Sequence, residues 1–223
     1  GKIKFGMVIE PGKSHCGEIH IVDIGFPKVI DQLDGRSWKL INDYDIKSKI
    51  KRVKSDTHKY LQGKVLIVAG STGMTGAAYL STMAALRSGA GLTITCAPSS
   101  LNSIYENKIT EGMTLICNDD NNKGFFSEEN YEVIMDQVNW CDALVIGPGI
   151  GVEKSTALLV EKLVQNVEKP IVIDADGLRP FYANPELFKK IKSNFVITPH
   201  LGELGQIINK DPAEIRRKID DII

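Results

Sequence analysis

The 223-residue chain has no apolar run approaching the roughly 18 residues that a membrane-crossing helix needs, so no membrane span is expected. Its opening, GKIKFGMV, does not read as a signal peptide. Basic residues (27) and acidic residues (28) nearly cancel, and no dense Lys/Arg block or aromatic-and-basic pattern interrupts that balance. Nucleic acid is therefore not an expected partner, which leaves small-molecule chemistry. Cys16, Cys96, Cys117 and Cys141 form no CxxC pair and have no histidine at metal spacing, so neither a disulfide framework nor a zinc site is expected, and a reducing cytoplasm fits. Internal repeats and low-complexity tracts are also missing. The length suits one domain, or one domain with a piece of another.

What is present changes along the chain. Residues 1–31 contain GEIHIVDIGFP, whose alternation over Ile19, Ile21 and Ile24 predicts a strand ending in a turn at Gly25 and Pro27. From Asp31 to Lys59 the composition turns polar, with Trp38, Leu40, Ile46 and Ile50 as scattered anchors. This stretch reads as a connector with a short helix near Asp43 to Lys51, and the Lys/Arg-rich run Lys47 to Lys54 as a solvated face. From Gly63 onward the pattern is strand, turn, helix, repeated. Apolar runs at Val65–Val68, Leu92–Cys96, Ala143–Ile146, Ile171–Ile173 and Phe195–Ile197 alternate with helical segments, one of them marked by Leu159/Leu163 and Val160/Val164/Val167. Short unbroken strands between helices predict an α/β fold: a mostly parallel sheet with helices on both faces and ligands at the strands' carboxyl ends.

Four constellations fall at those ends. The first, AGSTGMTGA, spaces Gly70, Gly73 and Gly76 by three before a helix, so that backbone N–H groups can approach an anion. It is neither a Walker A loop nor GxGxxG, and the acidic residue expected about 20 residues later is absent, since that strand runs into TCAPSS. A tight turn packed through Gly76 and Ala77 is the structural alternative. The second, VIGPGIG, places Gly147, Gly149 and Gly151 around a stiffening Pro148. In the third, IVIDADG, Asp174 and Asp176 point to the same side if the strand stays extended. Such a pair could orient a hydroxyl or hold Mg²⁺ through water, although Asp176 also suits a helix cap. In the fourth, VITPHLGEL, His200 could donate to a bound oxygen, while Glu203 also suits the third position of a helix that begins near His200. His15, His20 and His58 are isolated, Trp38 and Trp140 read as packing residues, and NDDNNKG (Asn118–Gly124) reads as a polar loop.

Together, HKYLQGKVLIVAGSTGMTGAAYLSTMAALRSGAGL, ALVIGPGIG, PIVIDADGL and NFVITPHLGE resemble, in that order and spacing, the ADP- or ATP-dependent NAD(P)H-hydrate dehydratases, a ribokinase-like family. The resemblance runs from about Thr57 to the end. GMVIEPGKSHCGEIHIVDIGFP resembles the closing strands of the NAD(P)H-hydrate epimerase domain that precedes the dehydratase in bifunctional members. The implied organisation is an epimerase remnant over 1–31, a linker over 32–58 and the larger part of a dehydratase domain over 59–223.

The implied activity is repair of hydrated NADH or NADPH, using ADP or ATP with Mg²⁺. Gly76, Ala77, Gly147, Gly149, Gly151, His200 and Glu203 are the implied substrate contacts, with Asp174 supporting. The family's Gly-x-Gly-Asp loop, which carries its catalytic base, lies after the segment corresponding to Ile223. Here no glycine is followed by aspartate and the only Lys-Gly is Lys123-Gly124, so the resemblance implies a chain cut at both ends, and no residue of this chain is assigned as a metal ligand. An apolar sheet edge left open would favour self-association, hence a homo-oligomer. The rival readings are a small-alcohol kinase of the same fold and a non-catalytic nucleotide-binding module.

Overall fold

The computed structural model describes residues 3–25, 40–50 and 56–217. It divides into two units, Gly1–Lys54 and Ser55–Ile223. The first contains short 3-10 helices at Phe5–Met7 and Gly12–His15 and one α-helix, α1 (Asp43–Lys47). Asn42 caps α1 by accepting from Tyr44 N (2.9 Å) and Asp45 N (3.1 Å), while the Asp45 carboxylate accepts from Asn42 N (3.1 Å). The expected helix is therefore present but stops at Lys47.

Other expectations for this unit need correction. Residues 19–24 form no strand, and Ile21, Val22 and Ile24 are exposed. An alternating sequence becomes a strand only when another strand satisfies its backbone, and the described residues of this unit include none. The turn is partly there: Gly25 has φ +77° and its N–H donates to Asp23 Oδ1 at 2.9 Å. Leu40, Ile46 and Ile50 are exposed and anchor no core. Pro27, Trp38 and Lys51 lie outside the described residues.

The second unit alternates strands and helices: β1 (Lys64–Val68), α2 (Thr75–Arg87), β2 (Leu92–Pro98), α3 (Asn102–Lys108), β3 (Met113–Cys117), α4 (Tyr131–Val138), β4 (Ala143–Ile146), α5 (Lys154–Asn166), β5 (Ile171–Ile173), β6 (Phe195–Ile197), α6 (Leu201–Ile208) and α7 (Pro212–Arg217). All five strand pairings are parallel, in the order β3-β2-β1-β4-β5-β6. The five expected strands are present. β3 was not legible because Thr114 interrupts its apolar residues, and both Met113 and Ile116 are exposed on this edge strand.

Alternate residues of β1 feed two cores. Leu66 and Val68 join Leu144, Ile146 and the α5 residues Leu159, Val160, Leu163 and Val164 on one face. Ile67 and Ala69, the residue just past β1, join Ala78 of α2, Tyr105 of α3 and Ile109 just after α3 on the other. A strand buried on both faces has no polar side to display, hence the unbroken runs. The register sets Val68 beside Ile146, Ile146 beside Ile173 and Ile173 beside Ile197, so four strands end level and their loops share one edge. Trp140 packs partly buried against the larger core, as expected.

The α5 stripe gives a direct check of this packing. Leu163→Ala should lower unfolding free energy by about 3 kcal/mol, whereas Leu158→Ala, on the exposed side of the same helix, should cost less than about 1 kcal/mol. Denaturant titration of both variants measures the difference.

Candidate functional site

The chain enters the sheet at its middle, adds β2 and β3 on one side, and then crosses to β4 on the other. The strand order thus reverses between β1 and β4, the place where open α/β sheets bind ligands. The two glycine loops lie there and bond directly to one another. Gly70 N donates to Pro148 O at 2.8 Å, and Ser71 Oγ donates to Gly149 O at 2.9 Å. A Cβ on Gly149 would stand 2.8 Å from the Ala77 Cβ, which seats the start of α2 against the second loop. One on Gly147 would stand 2.1 Å from the Asp174 carbonyl oxygen, so no side chain fits between β4 and β5. Gly76 differs: nothing lies within 4 Å of the Cβ position, so the packing role that the sequence offered for it is not used.

Both loops lead into helices whose N-termini are left open. Neither α2 nor α5 receives a side-chain capping bond, and neither has an acidic residue in its first turn. Ala77 N donates to Met74 O at 3.0 Å, and the remaining leading N–H groups and the positive ends of the two dipoles receive no side-chain acceptor. The N-terminus of α6 contrasts with them. His200 Nδ1 accepts from Gly202 N (3.0 Å) and Glu203 N (3.3 Å), and Glu203 Oε2 accepts from His200 N (2.8 Å). His200 is thus a helix cap, as Glu203's spacing suggested, yet only one ring nitrogen is used. With Nδ1 accepting, Nε2 carries the proton on an exposed ring and sits 3.4 Å from Glu203 Oε1.

The aspartate pair does not behave as expected. β5 ends at Ile173 and Ala175 adopts φ +50°, a left-handed conformation that breaks the extended path, so period-two alternation no longer relates Asp174 to Asp176. Neither side chain caps the 3-10 segment Ala175–Phe181 that follows. Asp174 Oδ1 instead accepts from the Thr198 hydroxyl at 2.6 Å, joining the loop after β5 to the loop after β6. Among the described residues no group of three or more His, Cys, Asp and Glu could hold a metal ion. The described residues thus offer no ligand set of their own for Mg²⁺.

Asp119 escaped the sequence reading, which took its loop as merely polar. It is buried, and its carboxylate accepts from the hydroxyls of Ser99 and Ser100, from Ser100 N (2.9 Å) and from Gly124 N (2.7 Å). Gly124 O in turn accepts from Thr72 N at 2.8 Å. A Cβ on Gly124 would stand 2.0 Å from Thr72 Oγ1. The β3–α4 loop thereby braces the middle of the first glycine loop. Its partner Gly124, five residues later, has positive φ like Gly70, Gly73, Gly147, Gly149 and Gly151, but sequence does not reveal φ.

A level row of loops, an order reversal and facing glycine turns define a parallel α/β protein whose candidate site lies at the switch point between β1 and β4. The profile of the NAD(P)H-hydrate dehydratase family matches residues 65–219, and the chain belongs to that family. Among curated relatives, the bifunctional NAD(P)H-hydrate repair enzyme of Moorella thermoacetica is 33% identical over 213 residues, covering 96% of this chain and 40% of that protein. The chain thus spans about 40% of the length of such relatives. Among solved structures, a ribokinase-like superfamily protein of Enterococcus faecalis is similar with a TM-score of 0.58 at 22% identity, covering 74% of this chain and 54% of that one. The ADP/ATP-dependent NAD(P)H-hydrate dehydratase of Bacillus subtilis, co-crystallised with ATP/Mg²⁺, gives 0.61 at 20% identity, covering 81% and 60%. The fold is therefore the ribokinase-like one expected.

Asp119 also sets an acid limit. Burial pushes its carboxyl up, but the bonds from Ser100, Ser99 and Gly124 outweigh this and hold it at about 2, below the ordinary 3.8. A depressed folded value gives stability that is complete above about pH 4 and is lost as pH falls through about 2. Asp119→Asn should remove that part of the acid unfolding profile, and Asp119→Ala should cost about 3 kcal/mol at neutral pH. Thermal melts across pH 2–7 read both effects.

Proposed function

We propose that the crevice between the two glycine loops holds a hydrated nicotinamide dinucleotide and that the longer protein dehydrates it with ADP or ATP as phosphoryl donor. The observation that carries this reading is the pair of glycine loops, bonded to each other where the strand order reverses and each leading into a helix, α2 or α5, without a side-chain cap. Family membership supplies the substrate class.

The chemistry explains the need for a nucleotide. Hydroxide is a poor leaving group, whereas a phosphorylated hydroxyl departs readily as phosphate, and loss of the neighbouring proton then restores the ring double bond. In this reading Gly76, Ala77, Gly147, Gly149 and Gly151 let backbone N–H groups approach the dinucleotide. The His200 Nε2–H donates to a ligand oxygen, Glu203 steadies that ring, and Asp174 supports the wall through Thr198. Mg²⁺ belongs to this reading as the companion of the nucleotide phosphates. The B. subtilis structure co-crystallised with ATP/Mg²⁺ supports that nucleotide class.

The same reading assigns residues 1–31 to the end of an epimerase domain, 32–58 to a linker and 59–223 to the dehydratase, as the bifunctional naming of the relatives supports. No described helix is long and apolar enough to cross a membrane, and the four cysteines are free thiols, which supports a reducing cytoplasm. Phe195 and Val196, exposed on edge strand β6, support a homo-oligomer.

Calorimetry with hydrated NADPH tests the site. Wild type should bind, while Ala77→Arg, and independently Gly76→Arg in its open position, should each lose at least about 100-fold in affinity with little change in melting temperature. Absence of wild-type binding, or affinity unchanged in both variants, overturns the reading. Replacement of His200 separates its two roles. His200→Asn keeps a capping acceptor but no Nε2–H and should weaken binding about tenfold with the melting temperature held, whereas His200→Ala should also lose about 1 kcal/mol of stability.

A further inference from the structure

Helix α3 touches the first glycine loop at both ends of that loop, from residues one helical turn apart. The Tyr105 hydroxyl donates to Ala69 O at 3.0 Å, and Lys108 Nζ donates to the Thr75 hydroxyl at 3.0 Å. Tyr105 is 1% exposed and packs with Ile67, Ala78, Ala97 and Ile109. Its hydroxyl also fills the space beside Gly70, where a Cβ would stand 2.1 Å from the phenol oxygen. Burial, reinforced by the nearby Cys96 and Cys117, pushes the phenol pKa up, so the group remains a neutral donor at any working pH.

The Ala69–Gly70 peptide is thereby held on both sides: Tyr105 takes its carbonyl, and Pro148 of the second loop takes its N–H at 2.8 Å. We propose that Tyr105 is a positioning residue for the dinucleotide crevice, its hydroxyl fixing the tilt of the Ala69–Gly70 peptide and, through the Gly70–Pro148 bond, the spacing of the two glycine loops. This rests on the reading that these loops hold the hydrated cofactor. Tyr105 contacts no ligand itself. Without its hydroxyl the Ala69 carbonyl lacks this donor in a dry environment and the peptide is free to rotate, which moves both loops.

A core role alone predicts something different. Thr82 offers the comparison: its buried hydroxyl lies 2.6 Å from that of Thr95 and donates to Ala78 O at 2.8 Å, on the same side of the sheet but with no bond to either loop. In the full-length protein, Tyr105→Phe and Thr82→Val should both lower the melting temperature. Only Tyr105→Phe should raise KM for hydrated NADPH, by about tenfold with kcat within about twofold, because binding geometry is altered and not the chemistry. Hydrogen exchange at the Gly70 amide should accelerate in Tyr105→Phe and stay unchanged in Thr82→Val.

A Tyr105→Phe enzyme with wild-type KM, or one whose KM shift is matched by Thr82→Val, overturns the proposal. If wild type itself does not turn over hydrated NADPH, the functional reading has failed, and the exchange measurement decides alone: an unaltered Gly70 rate then overturns the positioning role.

Discussion

Gly147 stands where three segments meet, and the level row of loops depends on its having no side chain. Its N–H donates to Val68 O at 3.0 Å, extending the β1–β4 ladder one residue past the strand ends. On its other side the Asp174 carbonyl and the Gly177 backbone approach so closely that a Cβ would overlap them. The same stepping continues outward, with Asp174 N donating to Ile146 O at 3.1 Å and Thr198 N to Ile173 O at 3.3 Å. These bonds bring the loops after β1, β4, β5 and β6 to one level. A larger residue at Gly147 would push β5 and its turn away from β4 and open that row.

Around this junction the helix N-termini divide the work. α6 satisfies leading N–H groups from its own side chains with His200 and Glu203, and α1 does so with Asn42 and Asp45. α2 and α5 do not. Their stability comes instead from buried faces, with Ala78 and Thr82 on one and five residues from Thr156 to Val164 on the other. Packing holds these helices in place without side-chain caps at their N-termini.

The supports of the first glycine loop come from a part of the chain that looked unimportant. Asp119 gathers the β2 and β3 ends, Gly124 passes that constraint to Thr72, and α3 holds Ala69 and Thr75. Ser99 and Ser100, bonded to Asp119, lie in the turn that leads into α3, so the two supports are linked. A flexible glycine loop is thus held at its start, middle and end by side chains that are not themselves glycine-rich motif residues.

Sequence by itself determined the parallel α/β sheet, five of its strands, the α5 stripe and the four loops, because burial on both faces and glycine punctuation write themselves into local patterns. It also carried the family, since four short strings in a fixed order are far more specific than any one of them. It misjudged residues 19–24, where alternation without a partner strand makes no ladder, and the Asp174/Asp176 pair, where Ala175 turns left-handed. Tertiary structure alone decided that the two glycine loops bond to each other, that His200 spends one nitrogen on a helix cap, and that Asp119 and Tyr105 support the first glycine loop. Each of these joins residues from separate elements of the chain or depends on a backbone angle, and neither distance in space nor φ is expressed in the spacing of residue types along one strand or helix.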